Sequence, residues 1–224
     1  MTSPKEETSH PSQSFLSQRP RLKDFLPALL YAALATCITL WSWQSPVAEG
    51  YLQASLQKTF GEQEYYRLFT GLFVHSNPSH LLNNMLFLIP FGGLLTAYFG
   101  WRLFPFLSIL LGIMTHGLTL YSNRMGGHIG PPLQDFVLNG SSGMLYAMFG
   151  LWLVLYFRSE IHLSAGKRWL RILGFVLIMM VPSQLSPQVS YRAHAIGFFL
   201  GLIAGIIFSS SRWKAGASAA PPPL

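Results

Sequence analysis

The sequence predicts an all-α membrane protein with six transmembrane helices. Half of the 224 residues are hydrophobic, only 10% are charged, and apolar stretches long enough to cross a bilayer recur along the chain. A soluble domain would carry about a quarter charged residues. The single cysteine leaves no basis for a disulfide framework or a cysteine metal site.

The predicted domain organisation has three parts. Residues 1–24 are polar and rich in Ser, Pro and Thr, so we expect a disordered cytoplasmic tail. Residues 25–210 form the membrane domain, whose first apolar stretch is interpreted as a retained anchor because it lacks a signal-peptide cleavage site. Residues 211–224 end in a proline run and form a second disordered cytoplasmic tail.

Two of the predicted spans are short. The six spans are 25–43, 79–98, 102–121, 142–157, 169–185 and 191–210. The fourth, at a rise of about 1.5 Å per residue, covers roughly 24 Å of a hydrocarbon core of about 30 Å. Such a span can begin below the membrane surface only where protein covers its end or a water cavity meets it. The fourth helix, starting at Ser142, is therefore expected to begin inside the membrane.

The distribution of lysine and arginine sets the predicted orientation. With the N-terminus inside, most of these residues fall on the inner side, and the outer segments carry only Lys58, Arg67, Arg124 and Arg192. Both termini are then cytoplasmic, and the net charge of +7 reflects topology in a lipid bilayer rather than a nucleic-acid partner.

The two outer loops differ in character. The long loop at about 44–78 is apolar, with residues such as Tyr65, Phe69 and Phe73, and is expected to lie in the membrane interface or pack on the bundle. The loop at 123–141 is rich in Gly and Pro, contains His128, and leads into the serine.

Four polar residues are expected at one depth near the outer face. His80 and Asn84 share one face of the second helix, Ser142 opens the fourth, and His194 opens the sixth. Each alone has an ordinary explanation: an interfacial histidine, a helix–helix hydrogen bond from asparagine, or a serine N-cap. Together they predict a functional site, because polar groups within spans are costly.

Small residues would bring two of these helices close together. The sixth helix carries Gly197, Gly201 and Gly205 at intervals of four, and the fourth carries Gly143, Ala147 and Gly150. Such stripes allow close helix packing. If they face each other, His194 comes within hydrogen-bond reach of Ser142.

This arrangement predicts acyl-transfer chemistry. A serine hydroxyl is a poor nucleophile until a base takes its proton, so Ser142 is the predicted nucleophile and His194 the general base. Tyr146, one turn below Ser142, is placed to support the imidazole. No Asp or Glu lies within the spans, so the pair would be a dyad rather than a triad.

The same region offers donors for an oxyanion. They are the His80 imidazole, the Asn84 amide and the backbone N–H groups of Ser141 and Ser142 at the start of a helix. Ser142 is preferred over Ser141 as nucleophile because it directly precedes Gly143 and stands four residues before Tyr146.

These residues resemble the motifs of the rhomboid family of intramembrane serine proteases, over about residues 66–208. The motif segments are Tyr66-Arg67 in the first outer loop, His80-x-x-x-Asn84, the turn Gly140-Ser141-Ser142-Gly143 with Tyr146 behind it, and Ala193-His194-x-x-Gly197-x-x-x-Gly201. The chain departs from the family at Thr96, where a glutamate is common.

The resemblance implies a six-helix rhomboid-like bundle that hydrolyses peptide bonds in or near transmembrane segments of membrane protein substrates, through an acyl-enzyme and without metal or cofactor. It also implies an active site that opens to the outer face, and residues 181–192 as a mobile cap and gate. The short six-span form resembles bacterial inner-membrane members.

Two other functions remain open. A non-catalytic rhomboid-like chaperone or client-binding protein could use the same cavity to hold membrane helices. A transporter or metal-handling protein could use the histidines, which are His75, His80, His116, His128 and His194. The absence of an H-E-x-x-H motif and of acidic residues within the spans argues against the second.

Overall fold

A computed structural model of the protein describes residues 19–125, 136–180 and 190–216, which are mostly helical. A single turn at Leu22–Phe25 precedes the first helix. The helices are α1 (Leu26–Gln44), α2 (Pro46–Leu52), α3 (Arg67–Thr70), α4 (Pro78–Phe99), α5 (Ser108–Met125), α6 (Ser142–Ser159), α7 (Ala165–Met180) and α8 (Tyr191–Gly216). Three short helical segments at Gln57–Gly61, Gly71–Phe73 and Arg102–Leu107 and two short strands, β1 (Ala54–Ser55) and β2 (Val137–Leu138), complete the described elements.

Four of the helical segments are long and apolar enough to cross a membrane. They are Leu22–Gln44, Pro78–Phe99, Arg102–Asn123 and Tyr191–Ser210. The fourth and fifth predicted spans correspond to α6 and α7, which do not meet the same criterion over the residues described. The helical membrane fold is thus confirmed, and the count of six spans stays a prediction.

Helical structure extends beyond both predicted ends of the membrane domain. At the N-terminal end, the Asp24 carboxylate accepts a hydrogen bond from the backbone N–H of Arg21 at 2.8 Å and stabilises the turn before α1. At the other end, α8 continues past residue 210 to Gly216. The remaining tail predictions, for residues 1–18 and 217–224, concern parts of the chain outside the described residues, as do those for His128 and for the cap at 181–189.

The long loop between α1 and α4 packs on the bundle. Its centre is Arg67, which is 2% exposed and forms an ion pair with Glu64 at 2.6 Å. The same guanidinium donates to the backbone carbonyls of Gly50 and Gln53, so it joins segments that are far apart along the loop. Leu72, beyond α3, is fully buried in the main core.

A two-stranded pairing connects this loop to the segment before α6. Strands β1 and β2 are antiparallel, with Ala54 opposite Leu138 and Ser55 opposite Val137. Two residues later, the backbone N–H of Gly140 donates to the Gly71 carbonyl at 2.9 Å. The loop therefore fixes the path of the chain into Ser142.

Helix α4 begins and ends at residues suited to those positions. The Asn77 side chain caps its start by accepting from the His80 N–H at 2.8 Å, and Pro78 occupies the first turn. The helix ends at Gly100, whose φ of +89° favours glycine. Near that end the Thr96 hydroxyl donates to the Gly92 carbonyl at 2.9 Å, as a helical threonine commonly does.

Helices α6 and α8 form the closest helix pair. A Cβ added to Gly197 would stand 2.2 Å from the carbonyl oxygen of Gly143, and one added to Gly201 would stand 1.9 Å from that of Ala147. A Cβ on Gly150 would likewise stand 2.2 Å from the Phe198 carbonyl oxygen. Backbone meets backbone along this contact, so side chains larger than hydrogen are excluded at these three positions.

This contact predicts a large effect from adding a single methyl group. We expect Gly201→Ala to lower the free energy of unfolding by about 3 kcal/mol, at the upper end of overpacking costs, because the clash is with main-chain atoms that cannot rotate away. Gly174→Ala in α7 is the matched control, since a Cβ there meets no described atom within 4 Å. Unfolding in detergent measures both, and an equal loss in the two variants would contradict the predicted role of the contact.

Candidate active site

The structure brings the first turns of α6 and α8 together. A Cβ on Gly143, the residue after Ser142, would lie 3.7 Å from the carbonyl oxygen of Ala193, the residue before His194. One turn further along, Gly197 packs on the carbonyl of Gly143. The predicted nucleophile and the predicted base therefore flank one close backbone contact.

His194 is held by an aromatic ring. Its imidazole stacks on Tyr146 with ring centroids 3.9 Å apart and planes inclined by 13°. The His194 side chain is buried, and its Nδ1 atom has no hydrogen-bond partner among the described residues. Stacking on Tyr146 therefore orients the His194 ring, a role that a carboxylate has in a catalytic triad.

The two adjacent serines occupy different environments. Ser142 is the first residue of α6 and is partly exposed, whereas Ser141 is fully buried. The hydroxyl of Ser141 lies 3.4 Å from His75 Nε2, and its carbonyl accepts from the Leu145 N–H at 2.9 Å. Ser142 is thus the serine that a substrate could reach.

Ser142 and His194 form no side-chain hydrogen bond with each other in the part of the chain that the structure describes. Hydrogen bonds between catalytic groups are often long without substrate and shorten when it binds. The packing brings the first turns of α6 and α8 close together. The contact through which Ser142 would pass its proton to His194 remains a prediction.

The turn before the serines depends on Gly140. Its φ is +91°, a region that glycine adopts without strain. A Cβ at this position would stand 2.6 Å from Cε1 and 2.8 Å from Nε2 of His80. The Gly140 carbonyl accepts a hydrogen bond from His116 Nε2 at 3.2 Å. Backbone conformation and the neighbouring imidazole both require glycine here.

His80 presents one nitrogen to this turn. Its Nδ1 lies 3.3 Å from the Ser76 hydroxyl, so Nε2 is the nitrogen that faces Gly140. Asn84 is buried, and its side-chain amide donates one hydrogen to the His80 carbonyl at 2.9 Å. The amide has a second hydrogen, which does not take part in that bond. The two predicted oxyanion donors therefore lie on successive turns of α4, and His80 is the one that the structure places beside the serine turn.

A buried polar network behind the turn was not predicted from the sequence, where His75 appeared only among alternative metal ligands. Its Nδ1 lies 3.2 Å from Thr39 Oγ1, and the Thr39 hydroxyl donates to the Phe73 carbonyl at 2.9 Å. Because Thr39 has one hydrogen to give, it must accept from His75 Nδ1. His75 Nε2 is then the nitrogen without a hydrogen, and it lies 3.4 Å from the Ser141 hydroxyl.

The signal for this network was present but weak. Thr39 is a hydroxyl residue within the first predicted span, and His75 stands five residues before His80. Nothing in that spacing shows that the two residues meet. The contact joins α1 to the serine turn across residues distant in sequence, so it follows only from the fold.

The histidines are used as hydrogen-bonding and packing groups. No group of three or more His, Cys, Asp or Glu side chains in the described ranges is arranged to hold a metal ion. His75 and His116 bond the turn, His80 packs against it, and His194 stacks on Tyr146.

Burial sets the electrostatics of His75, which lies outside the predicted spans. Loss of hydration lowers the pKa of its imidazole to about 3, and the nearby His80 ring adds to the shift. His75 is therefore neutral at physiological pH, which is the state that the network with Thr39 and Ser141 requires.

Comparison with known proteins agrees with the geometry. A family model described as the Rhomboid domain matches residues 62–211, which include every predicted site residue. The chain is 28% identical over 142 residues to a Bacillus subtilis (strain 168) protein provisionally named rhomboid protease YdcA, a match that covers 62% of this chain and 65% of that protein.

A second relative comes from a plant. RHOMBOID-like protein 1 of Arabidopsis thaliana is 28% identical over 147 residues, a match that covers 66% of this chain and 35% of the plant protein. The chain therefore spans less than two thirds of the length of either relative.

The low pKa of His75 predicts a pH-dependent stability. The folded state keeps His75 neutral down to about pH 3, while the unfolded chain binds a proton at about pH 6.5. The contribution of His75 to the free energy of unfolding is therefore fully present above about pH 6.5. Below that pH it falls by up to about 1.4 kcal/mol per pH unit. We expect the stability difference between the wild type and His75→Gln to shrink from pH 7 to pH 5. Unfolding at several pH values measures it, and a constant difference would contradict the account.

Proposed function

The chain belongs to the rhomboid family, and from this premise we propose that it is an intramembrane serine endopeptidase. It would hydrolyse peptide bonds in or near transmembrane segments of membrane proteins, through a Ser142–His194 dyad and an acyl-enzyme. One observation supports this most: the base His194 stacks on Tyr146 at 3.9 Å, while the partly exposed Ser142 opens the neighbouring, tightly packed helix.

The proposed reaction begins with proton transfer from Ser142 to His194. As that proton leaves, the Ser142 oxygen attacks the carbonyl carbon of the scissile bond, and a tetrahedral oxyanion forms while His194 holds the proton. Collapse of the tetrahedral intermediate breaks the C–N bond, and His194 returns the proton to the leaving amine. Water then attacks the acyl-enzyme with His194 again as base, which releases the second fragment and restores Ser142.

In the proposed reaction Nε2 of His194 exchanges this proton, which requires the neutral ring to carry its hydrogen on Nδ1. That Nδ1 atom is buried and has no hydrogen-bond partner among the described residues. Stacking on Tyr146 fixes the ring plane and would partly offset the positive charge that develops on the imidazole, because the face of an aromatic ring attracts cations.

Four donors would stabilise the oxyanion. His80 Nε2 faces the turn, and Asn84 retains one amide hydrogen. The backbone N–H groups of Ser141 and Ser142 lie at the start of α6, where the helix dipole also favours negative charge. Donors fixed in advance in a site shielded from water are the usual source of such stabilisation.

We further propose a bacterial inner-membrane location with six spans and both termini in the cytoplasm. Helices α4, α6 and α8 would then run from the outer to the inner face, which places the site near the outer surface. The bias of lysine and arginine toward the inner segments supports this orientation. Transmembrane proteins in the same bilayer are the proposed substrates, and no cofactor takes part.

A non-catalytic, client-binding protein of the same family is the second candidate. It is favoured by one observation, that no hydrogen bond joins Ser142 to His194 among the described residues. Such a protein would bind a membrane helix but leave its peptide bonds intact. Turnover of a reconstituted transmembrane substrate distinguishes the two candidates.

The proposed dyad makes a specific prediction for the two serines. We expect Ser142→Ala and His194→Ala each to lower the cleavage rate of a reconstituted transmembrane substrate by about 10⁴-fold or more, because each removes a reacting group. Ser141→Ala is the matched control: it removes a hydroxyl already bonded to His75, and we expect its rate to stay within about ten-fold of the wild type.

The outcome separates the candidates directly. Cleavage by the wild type and by Ser141→Ala, but not by Ser142→Ala, supports the protease. Binding of the substrate without cleavage by the folded wild type would support the client-binding function. Loss of cleavage in Ser141→Ala but not in Ser142→Ala would show that Ser141, and not Ser142, is the nucleophile.

A further inference from the structure

Two basic side chains at the start of α7 have no protein partner in the described part of the chain. Their neighbours Arg158 and Arg168 are engaged: Arg158 donates to the Ser209 hydroxyl at 2.7 Å, and Arg168 donates to the Phe157 carbonyl at 2.7 Å. Lys167 and Arg171, by contrast, are exposed and form no ion pair or side-chain hydrogen bond with any described residue.

The positions of these two cations are unfavourable without an anion. Lys167 and Arg171 are four residues apart in α7, so they lie on one helix face and repel each other. Lys167 also stands in the first turn of α7, where the helix dipole disfavours positive charge. Both effects are relieved if a negative group sits between the two side chains.

The described acidic residues cannot supply that negative group. Glu160, the acidic residue closest in sequence, is fully buried and lies 3.2 Å from His162. The others are bonded elsewhere: Asp24 to Arg21, Glu49 to Gln53, Glu62 to Lys58, and Glu64 to Arg67. The anion must therefore come from outside the described chain.

The surface around Lys167 and Arg171 has the character of a lipid contact. The next side chains along α7 include Leu170, Leu173 and Leu177, all more than half exposed. Helix α7 is also the one long helix without an extended close approach to another helix in the described ranges. Its contacts with the bundle include Phe175, whose ring centroid lies 4.6 Å from Trp152 and 5.3 Å from Phe91, and Trp169, whose ring centroid lies 5.3 Å from Phe157.

We propose that Lys167 and Arg171 bind the phosphate headgroup of an anionic phospholipid, and that the acyl chains of this lipid cover the leucine face of α7. Aliphatic stems lie along apolar surface while the charged ends reach the headgroup level. The site is at the end of the bundle away from Ser142, since α6 runs from Ser142 to the turn that precedes α7. The bound lipid supplies the contact that a neighbouring helix supplies elsewhere.

The inference needs a membrane-embedded chain but no protease activity. Its test therefore stays informative even if the proposed reaction is wrong. Basic side chains near an anionic membrane surface each contribute about 1 kcal/mol, which corresponds to roughly a five-fold preference per residue. Together, Lys167 and Arg171 predict local enrichment of anionic over zwitterionic lipid by about five- to twenty-five-fold.

The structure offers a reporter position next to the site. Gly174 lies on the same face as Lys167 and Arg171, and a Cβ there meets no described atom within 4 Å. A fluorophore on Gly174→Cys, in a Cys37→Ala background that removes the single native cysteine, therefore reads the local lipid. The full chain is reconstituted in equimolar phosphatidylglycerol and phosphatidylcholine vesicles, with one or the other lipid brominated as a quencher.

We expect brominated phosphatidylglycerol to quench the reporter much more strongly than brominated phosphatidylcholine. In Lys167→Gln/Arg171→Gln the two lipids should quench equally, and 0.5 M NaCl should weaken the wild-type preference. Lys167→Arg/Arg171→Lys, which keeps both charges, should retain the preference. Arg102→Gln/Arg158→Gln removes the same net charge at the same end of the bundle and should also retain it.

Three outcomes would overturn the proposal. Equal quenching by the two lipids in the wild type would show that the surface does not select anionic headgroups. A preference that persists in Lys167→Gln/Arg171→Gln, or disappears equally in Arg102→Gln/Arg158→Gln, would assign it to general attraction. Loss of the preference on addition of millimolar inorganic phosphate would make free phosphate, rather than lipid, the ligand.

Discussion

The close approach of α6 and α8 is the constraint on which the candidate site depends. Gly197 and Gly201 place the α8 backbone directly against the carbonyls of Gly143 and Ala147, with no room for a Cβ. Because His194 stands one turn before Gly197, the same contact sets its height relative to Ser142. Tyr146 then fixes the ring by stacking, so helix packing does the positioning that a carboxylate does in a triad.

A second constraint acts from behind the serine turn. The network of Thr39, His75 and Ser141 joins α1 to the start of α6, while β2 and Gly140 attach the preceding segment to the first outer loop. One consequence is chemical: Ser141 and His75 form a serine–histidine pair of their own, but Ser141 is fully buried. Accessibility, rather than residue type, separates the structural serine from the proposed nucleophile.

The sequence predicted the parts of the fold that depend on local pattern, and it missed those that depend on distant contacts. Helical spacing placed His194 on the side of Gly197 and Gly201, and the start of α6 was predicted at Ser142, where the structure has it. The pairing of His75 with Thr39 spans 36 residues and has no periodic signal. The turn at Leu22–Phe25 and the continuation of α8 to Gly216 extend beyond the apolar stretches from which the spans were predicted.

Ser142 is the serine that we propose to be activated. The most direct test is to treat the reconstituted protein with a serine-directed fluorophosphonate and to map the adduct by peptide mass spectrometry. We expect one phosphonate on Ser142 and none on Ser141, with loss of the adduct in His194→Ala. A phosphonate on Ser141, or an unmodified Ser142 in protein shown to be folded, would contradict it.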